Sequence, residues 1–214
     1  MKWRSENKMQ IVLSAKTIIV LGTILSIVAI VNSGFKISHD ISINESANNA
    51  VSMDSIASVK AFEKVYKVLM SPRCMNCHPA GDIPLQGDDN HLHSMFPKRG
   101  EDGKGIYAMK CQNCHQSANL SGLHTPPGNP NWHLPPAEMR MVFQGRTARQ
   151  LAKQLVDQKQ NGHKNMKQLI DHASDGLVRS AWNPGEGRTT PPMSHDDFKK
   201  AWVEWIQKGA YAPK

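Results

Sequence analysis

The chain has 214 residues, 39% hydrophobic and 21% charged, which is a globular rather than a disordered composition. Its 15 glycines and 13 prolines exclude a long coiled coil and predict a loop-rich fold with short helices. The formal charge is +8, but Lys2, Arg4, Lys8 and Lys16 against Glu6 load part of it at the start; the rest forms no dense basic stripe, so nucleic acid is not an expected partner.

Residues 1–35 come first. A basic, polar start leads into an apolar run from Ile11 to Val31, broken only by Lys16, and no charge occurs from Thr17 to Phe35. This is the pattern of an export signal. The run is long enough to span a bilayer, with Lys16 able to snorkel to the cytoplasmic side, so it reads either as a cleaved signal peptide or as an uncleaved signal anchor. No other stretch is long and apolar enough to span, which excludes a polytopic membrane protein. No Cys follows the run, which excludes a lipoprotein. Residues 36–52 are rich in Ser and Asn, lack helical periodicity and read as a linker. Residues 53–214 read as one compact, mostly α domain outside the cytoplasm, anchored to the membrane or soluble after cleavage.

The spacing predicts a helix over 54–70, capped by Asp54, with Val59, Phe62, Tyr66, Leu69 and Met70 on one face. Residues 79–106 read as loop, because Gly, Pro and Asp dominate them. The acidic residues there lack the ligand spacing of a calcium loop. A short helix is expected over 106–115. Residues 119–136 read as an extended proline-rich wrap. A helix over 147–158 is predicted from a Thr147/Gln150 capping box, with Leu151 and Leu155 inward and Asn161-Gly162 as the stop. Another is expected over 164–174, with Met166, Leu169, Ile170 and Ala173 inward and His172 at the edge of that face. The last helix runs from Ser194 to Lys208, capped by Ser194 and Asp197, with Phe198, Trp202, Trp205 and Ile206 as its apolar stripe and Gly209 as its stop. No strands are expected.

The four cysteines carry the chemistry. Cys74-Met75-Asn76-Cys77-His78 and Cys111-Gln112-Asn113-Cys114-His115 are both C-x-x-C-H, the attachment signature of c-type haem. Two thiols three residues apart on one helical turn reach the two vinyl groups of a porphyrin edge, and the next His binds the iron. Two disulfides or a Cys₄ zinc site are the alternatives, but neither explains the His after each second Cys. The expected cofactors are therefore two covalently bound haems, with His78 and His115 as proximal iron ligands. The motifs lie too close in sequence for each haem to have its own domain, so the two share one fold.

The sixth ligands are open. His91, His93, His124, His133, His163, His172 and His195 are all eligible. His93, in a loop that folds back, and His172, on a helix, are the leading candidates. His124 and His133 in the proline-rich wrap come next, with Met193 just before the last helix as a further candidate.

Several stretches together carry a resemblance: SPRCMNCHPAGDIPLQGDD (71–89), RGEDGKG (99–105), CQNCHQSANLSGLHTPPG (111–128), NWHLPP (131–136), NGHKNMKQL (161–169), HASDGLV (172–178), WNPGEGR (182–188) and WVEWIQKGA (202–210). With them the chain resembles a family of bacterial dihaem c-type cytochromes, often labelled isoquinoline 1-oxidoreductase subunit. The resemblance covers most of residues 60–210 and implies haem binding and electron transfer. Its label implies a molybdenum hydroxylase as electron donor, although nothing in this chain binds molybdopterin. The expected function is electron transfer, not catalysis, between a periplasmic dehydrogenase or hydroxylase and a downstream cytochrome or oxidase. The alternative is a haem enzyme, a peroxidase or small-molecule oxidase with one open iron, using His91 beside His93 as acid and base.

Overall fold

The computed structural model describes residues 50–214. The export segment and residues 36–49 of the expected linker lie outside the described residues. Residues 50–52, read from sequence as the end of the linker, are already helical. Ser52–Lys214 forms one compact unit. It is helix-rich and loop-rich, with a few very short strands.

Helix α1 runs through residues 50–69. Ala61, Phe62, Val65, Val68 and Leu69 follow helical spacing and are all buried. That face is turned from the expected one: Val59, Tyr66 and Met70 are only half-buried, and the smaller Ala61, Val65 and Val68 go inside. Asp54 does not cap the helix. It lies within α1 and pairs with Lys208 at 2.8 Å.

The short α2 spans Pro72–Met75. Four later helices follow: α3 Ala148–Val156, α4 Met166–His172, α5 Gly176–Ser180 and α6 His195–Gln207. The Thr147/Gln150 capping box is present on α3, which buries Leu151 and Leu155. That helix ends at Val156, before the expected stop at Asn161-Gly162. Asn161 instead braces the following turn from inside, bonding the Leu155 and Lys164 carbonyls at 2.8 and 2.9 Å. An equivalent box from Asn165 and Gln168 opens α4, two residues later than expected, and leaves Met166 exposed.

Ser194 caps α6, which buries Phe198, Ala201, Trp202, Trp205 and Ile206. These meet α1, where the Phe62 and Trp205 rings lie 4.7 Å apart. Buried Ser58 donates to the Trp205 carbonyl at 2.9 Å and accepts from the Tyr211 amide at 3.0 Å. Trp202 donates to the Leu169 carbonyl, tying α6 to α4. Full burial of each such apolar side chain contributes about 2 kcal/mol, so the helices, not the strands, supply the cohesion.

Two antiparallel ladders appear where loop or helix was expected. β1 (Leu85–Gln86) pairs with β2 (His91–Leu92). β3 (Gly105–Ile106) pairs with β4 (Met109–Lys110), which replaces the helix expected over 106–115. Gly105 adopts φ +88 in β3, a conformation no helix uses. A 3₁₀ turn, Cys111–Asn113, then carries the second Cys pair. Residues 119–136 hold no helix or strand.

Candidate functional site

The first motif sits on α2 and the turn after it. Pro72 opens that helix, where its missing N–H costs nothing. The Cys77 amide bonds the Cys74 carbonyl at 3.2 Å, and the His78 amide bonds Met75 at 3.1 Å. This tight winding sets Cys74, Cys77 and His78 on one turn. Both thiols are free. Burial raises Cys74 to about 12 and Cys77 to about 11.

The His78 ring is fixed twice. Its Nδ1 lies 2.6 Å from the Met141 carbonyl. A carbonyl only accepts, so the proton resides on Nδ1 and Nε2 is left as a bare lone pair. Phe143 lies flat against the ring, with centroids 3.9 Å apart and planes 8° apart. The Phe143 amide closes the clamp by donating to the His78 carbonyl at 2.9 Å. Burial pulls His78 down to about 4, so the imidazole is neutral at ordinary pH.

The second motif repeats this construction with different parts. The Cys114 and His115 amides bond the Cys111 carbonyl at 3.2 and 2.9 Å. His115 Nδ1 donates to the Pro127 carbonyl at 2.8 Å. Trp132 stacks on the ring at 4.1 Å and 9°. Burial lowers the His115 pKa as well. The clamp comes from the proline-rich wrap, which is held close to the motif on both sides. The Asn129 amide bonds the Gln116 carbonyl at 2.9 Å. Gly103 lets the Leu134 carbonyl approach so closely that a Cβ would stand 1.9 Å from its oxygen.

The pinned His115 has a second imidazole near it. The His93 and His115 ring centroids lie 6.2 Å apart, their planes 63° apart. His93 is positioned by β2, its amide bonding the Pro84 carbonyl at 3.0 Å, and its Nδ1 donates to the Ser94 carbonyl at 2.6 Å. His172 ends α4. Its neighbours Leu169 and Ala173 belong to the same apolar cluster as Phe143, against which Cys74 and Met141 pack. A positive charge on His172 disfavours one on His78. His172 Nδ1 donates to Asp175 at 2.5 Å. All four imidazoles therefore keep Nε2 free.

The other candidates are used differently. His124 is exposed, has φ +59 and packs against Gly187. His133 donates through Nδ1 to the Asn131 carbonyl. Met193 packs at the edge of the apolar cluster, and its carbonyl accepts from Trp182. His195 uses Nε2 on the Ala173 carbonyl. His91, exposed, is paired with Asp89 at 2.6 Å.

Arg99 joins the two motifs. Its side chain is fully buried and donates to the carbonyls of Pro135 at 2.6 Å and Gly81 at 3.3 Å. Its own amide bonds Asp82, and its carbonyl accepts from Gly105. Gly81 and Asp82 follow the first motif, and Gly105 pairs with Lys110 just before the second. The clamp residues Met141, Phe143, Pro127 and Trp132, and Arg99 itself, were not singled out from the sequence.

Among the described residues, no three or more His, Cys, Asp or Glu side chains converge as a metal cage. Among the same residues, no helix is long and apolar enough to cross a membrane. No family model matches the chain, and neither a curated protein nor a solved structure matches it.

Proposed function

We propose that this chain is an exported dihaem c-type cytochrome, of the family its sequence resembles. In this reading it carries electrons between a periplasmic dehydrogenase or hydroxylase and a downstream cytochrome or oxidase. Its residues fit the group. Cys74 with Cys77, and Cys111 with Cys114, have the spacing for thioether links to two porphyrin edges. His78 and His115 present unprotonated Nε2 atoms beside them.

One observation carries the reading furthest, the 6.2 Å between the His93 and His115 centroids. With metal–nitrogen bonds of about 2 Å and about 1.2 Å from nitrogen to ring centre, two imidazoles that held one ion between them would stand up to about 6.4 Å apart. His93 would accordingly serve with His115 in holding the second iron, and His172, on the helix that packs with the Phe143 cluster, would serve with His78 at the first.

Bound haem supplies one-electron Fe(III)/Fe(II) chemistry. The chain does the rest. Backbone carbonyls fix the tautomers of His78 and His115, and Phe143 and Trp132 fix their ring planes. Two imidazoles on each iron would keep small molecules off and would limit rearrangement when the charge changes. Arg99 holds the two motif loops together.

The test is to mature the full chain in a host with a working cytochrome c assembly system. Intact mass should show two added tetrapyrroles that acid extraction does not remove, and near-infrared magnetic circular dichroism should show bis-imidazole ligation at both irons. Pigment that washes off, or a mass with no addition, overturns the reading.

A further inference from the structure

Four imidazoles share one arrangement, Nδ1 donating and Nε2 free, but their acceptors differ. His78 gives its proton to Met141, His115 to Pro127 and His93 to Ser94, all backbone carbonyls. His172 alone gives it to a carboxylate, Asp175 Oδ2 at 2.5 Å.

Asp175 has an obvious competing use. It occupies the N-cap position of α5, where an aspartate ordinarily accepts from the first free amides of the helix. Its side chain makes no such bond. The carboxylate is turned to His172 instead, and the helix start goes without it.

We propose that Asp175 is a positioning residue for the first haem site. It locks the tautomer and plane of His172 and makes its Nε2 the most electron-rich of the four. A carboxylate draws the Nδ1 proton more strongly than a carbonyl does, which gives the ring partial imidazolate character. A richer donor stabilises Fe(III) over Fe(II) and so lowers the reduction potential. Asp175 therefore builds a difference between the two sites, holding the His78/His172 iron lower than the same pair would sit with a neutral acceptor. This rests on the dihaem reading above.

The experiment compares the matured full chain with Asp175→Asn and Asp175→Ser. Both replacements are competent N-caps, so α5 keeps its start in each. A third variant, His93→Met, labels the second site by raising its potential. Stepwise spectropotentiometric titration should show one potential raised in both Asp175 variants, and it should not be the one His93→Met moves. The low-spin ferric signal of the same iron should shift in electron paramagnetic resonance. Unchanged potentials, or movement of the wave that His93→Met labels, overturn this inference and leave the dihaem reading standing. A chain that matures without two haems overturns the reading itself.

Discussion

Trp132 lies flat on His115, and Phe143 lies flat on His78, at nearly the same spacing and within two degrees of the same tilt. Neither aromatic is near its histidine in sequence. Each comes from a segment that also supplies the carbonyl for the same ring. The orientation of each imidazole is thus set by a single later loop.

Removing the flat partner should loosen its histidine. Phe143 is buried, so Phe143→Ala should cost about 3 kcal/mol. Trp132 is only half-buried, so Trp132→Ala should cost less in stability while broadening the spectrum of the second site alone. Thermal melts followed by Soret absorbance and by far-ultraviolet circular dichroism separate the two effects.

Opening the axial positions should be site-selective. His93→Ala and His172→Ala are each expected to make one iron bind carbon monoxide rapidly in the reduced state, while the parent binds none. Titration with the gas should give one equivalent per chain in either variant and two in the double variant. Binding in His124→Ala, His133→Ala or Met193→Ala would reassign the ligand.

Arg99→Met should destabilise the whole domain. It removes the donor that the part-buried carbonyls of Pro135 and Gly81 share, and with it a fully buried side chain. The two charge-assisted hydrogen bonds lost are together worth about 3 kcal/mol. Urea denaturation should show the midpoint falling with an unchanged slope. Arg99→Lys should recover part of the loss, since it keeps the charge but not the fork.

Acid should weaken the haem-free chain through His78. Burial holds that imidazole near 4 when folded, against an ordinary value of 6.5. The unfolded chain therefore binds the proton at higher pH than the folded one. The contribution of His78 is full above about 6.5 and is lost as pH falls through 4. His115 acts in the same direction. Melting temperature against pH should fall across this window, and the slope should flatten in His78→Gln.

The sequence discloses local chemistry and hides what crosses the chain. The Ser194 cap, the apolar stripe of α6 and the Thr147/Gln150 box are legible because their partners lie within a turn or two. The Cys and His spacing of both motifs is legible for the same reason. Met141, Phe143, Pro127 and Trp132 act on histidines far away in sequence, and no periodicity marks them. The two ladders hold two residues per strand, too few for an alternating pattern to register. The buried face of α1 follows position rather than bulk: Ala61, Val65 and Val68 go inside while Tyr66 turns its hydroxyl to the Arg146 carbonyl. The Asn165/Gln168 box has the same local logic as the one on α3.

The clamping loops follow both Cys-His turns along the chain. A polypeptide made from its amino end releases Cys74 to His78 and Cys111 to His115 while Pro127, Trp132, Met141 and Phe143 are still to come. For that interval neither ring has its carbonyl acceptor or its aromatic partner. The final closure waits for α6, the last helix made, whose tryptophans seat against α1 and α4. In the dihaem reading proposed above, thioether linkage would therefore precede closure of the clamps.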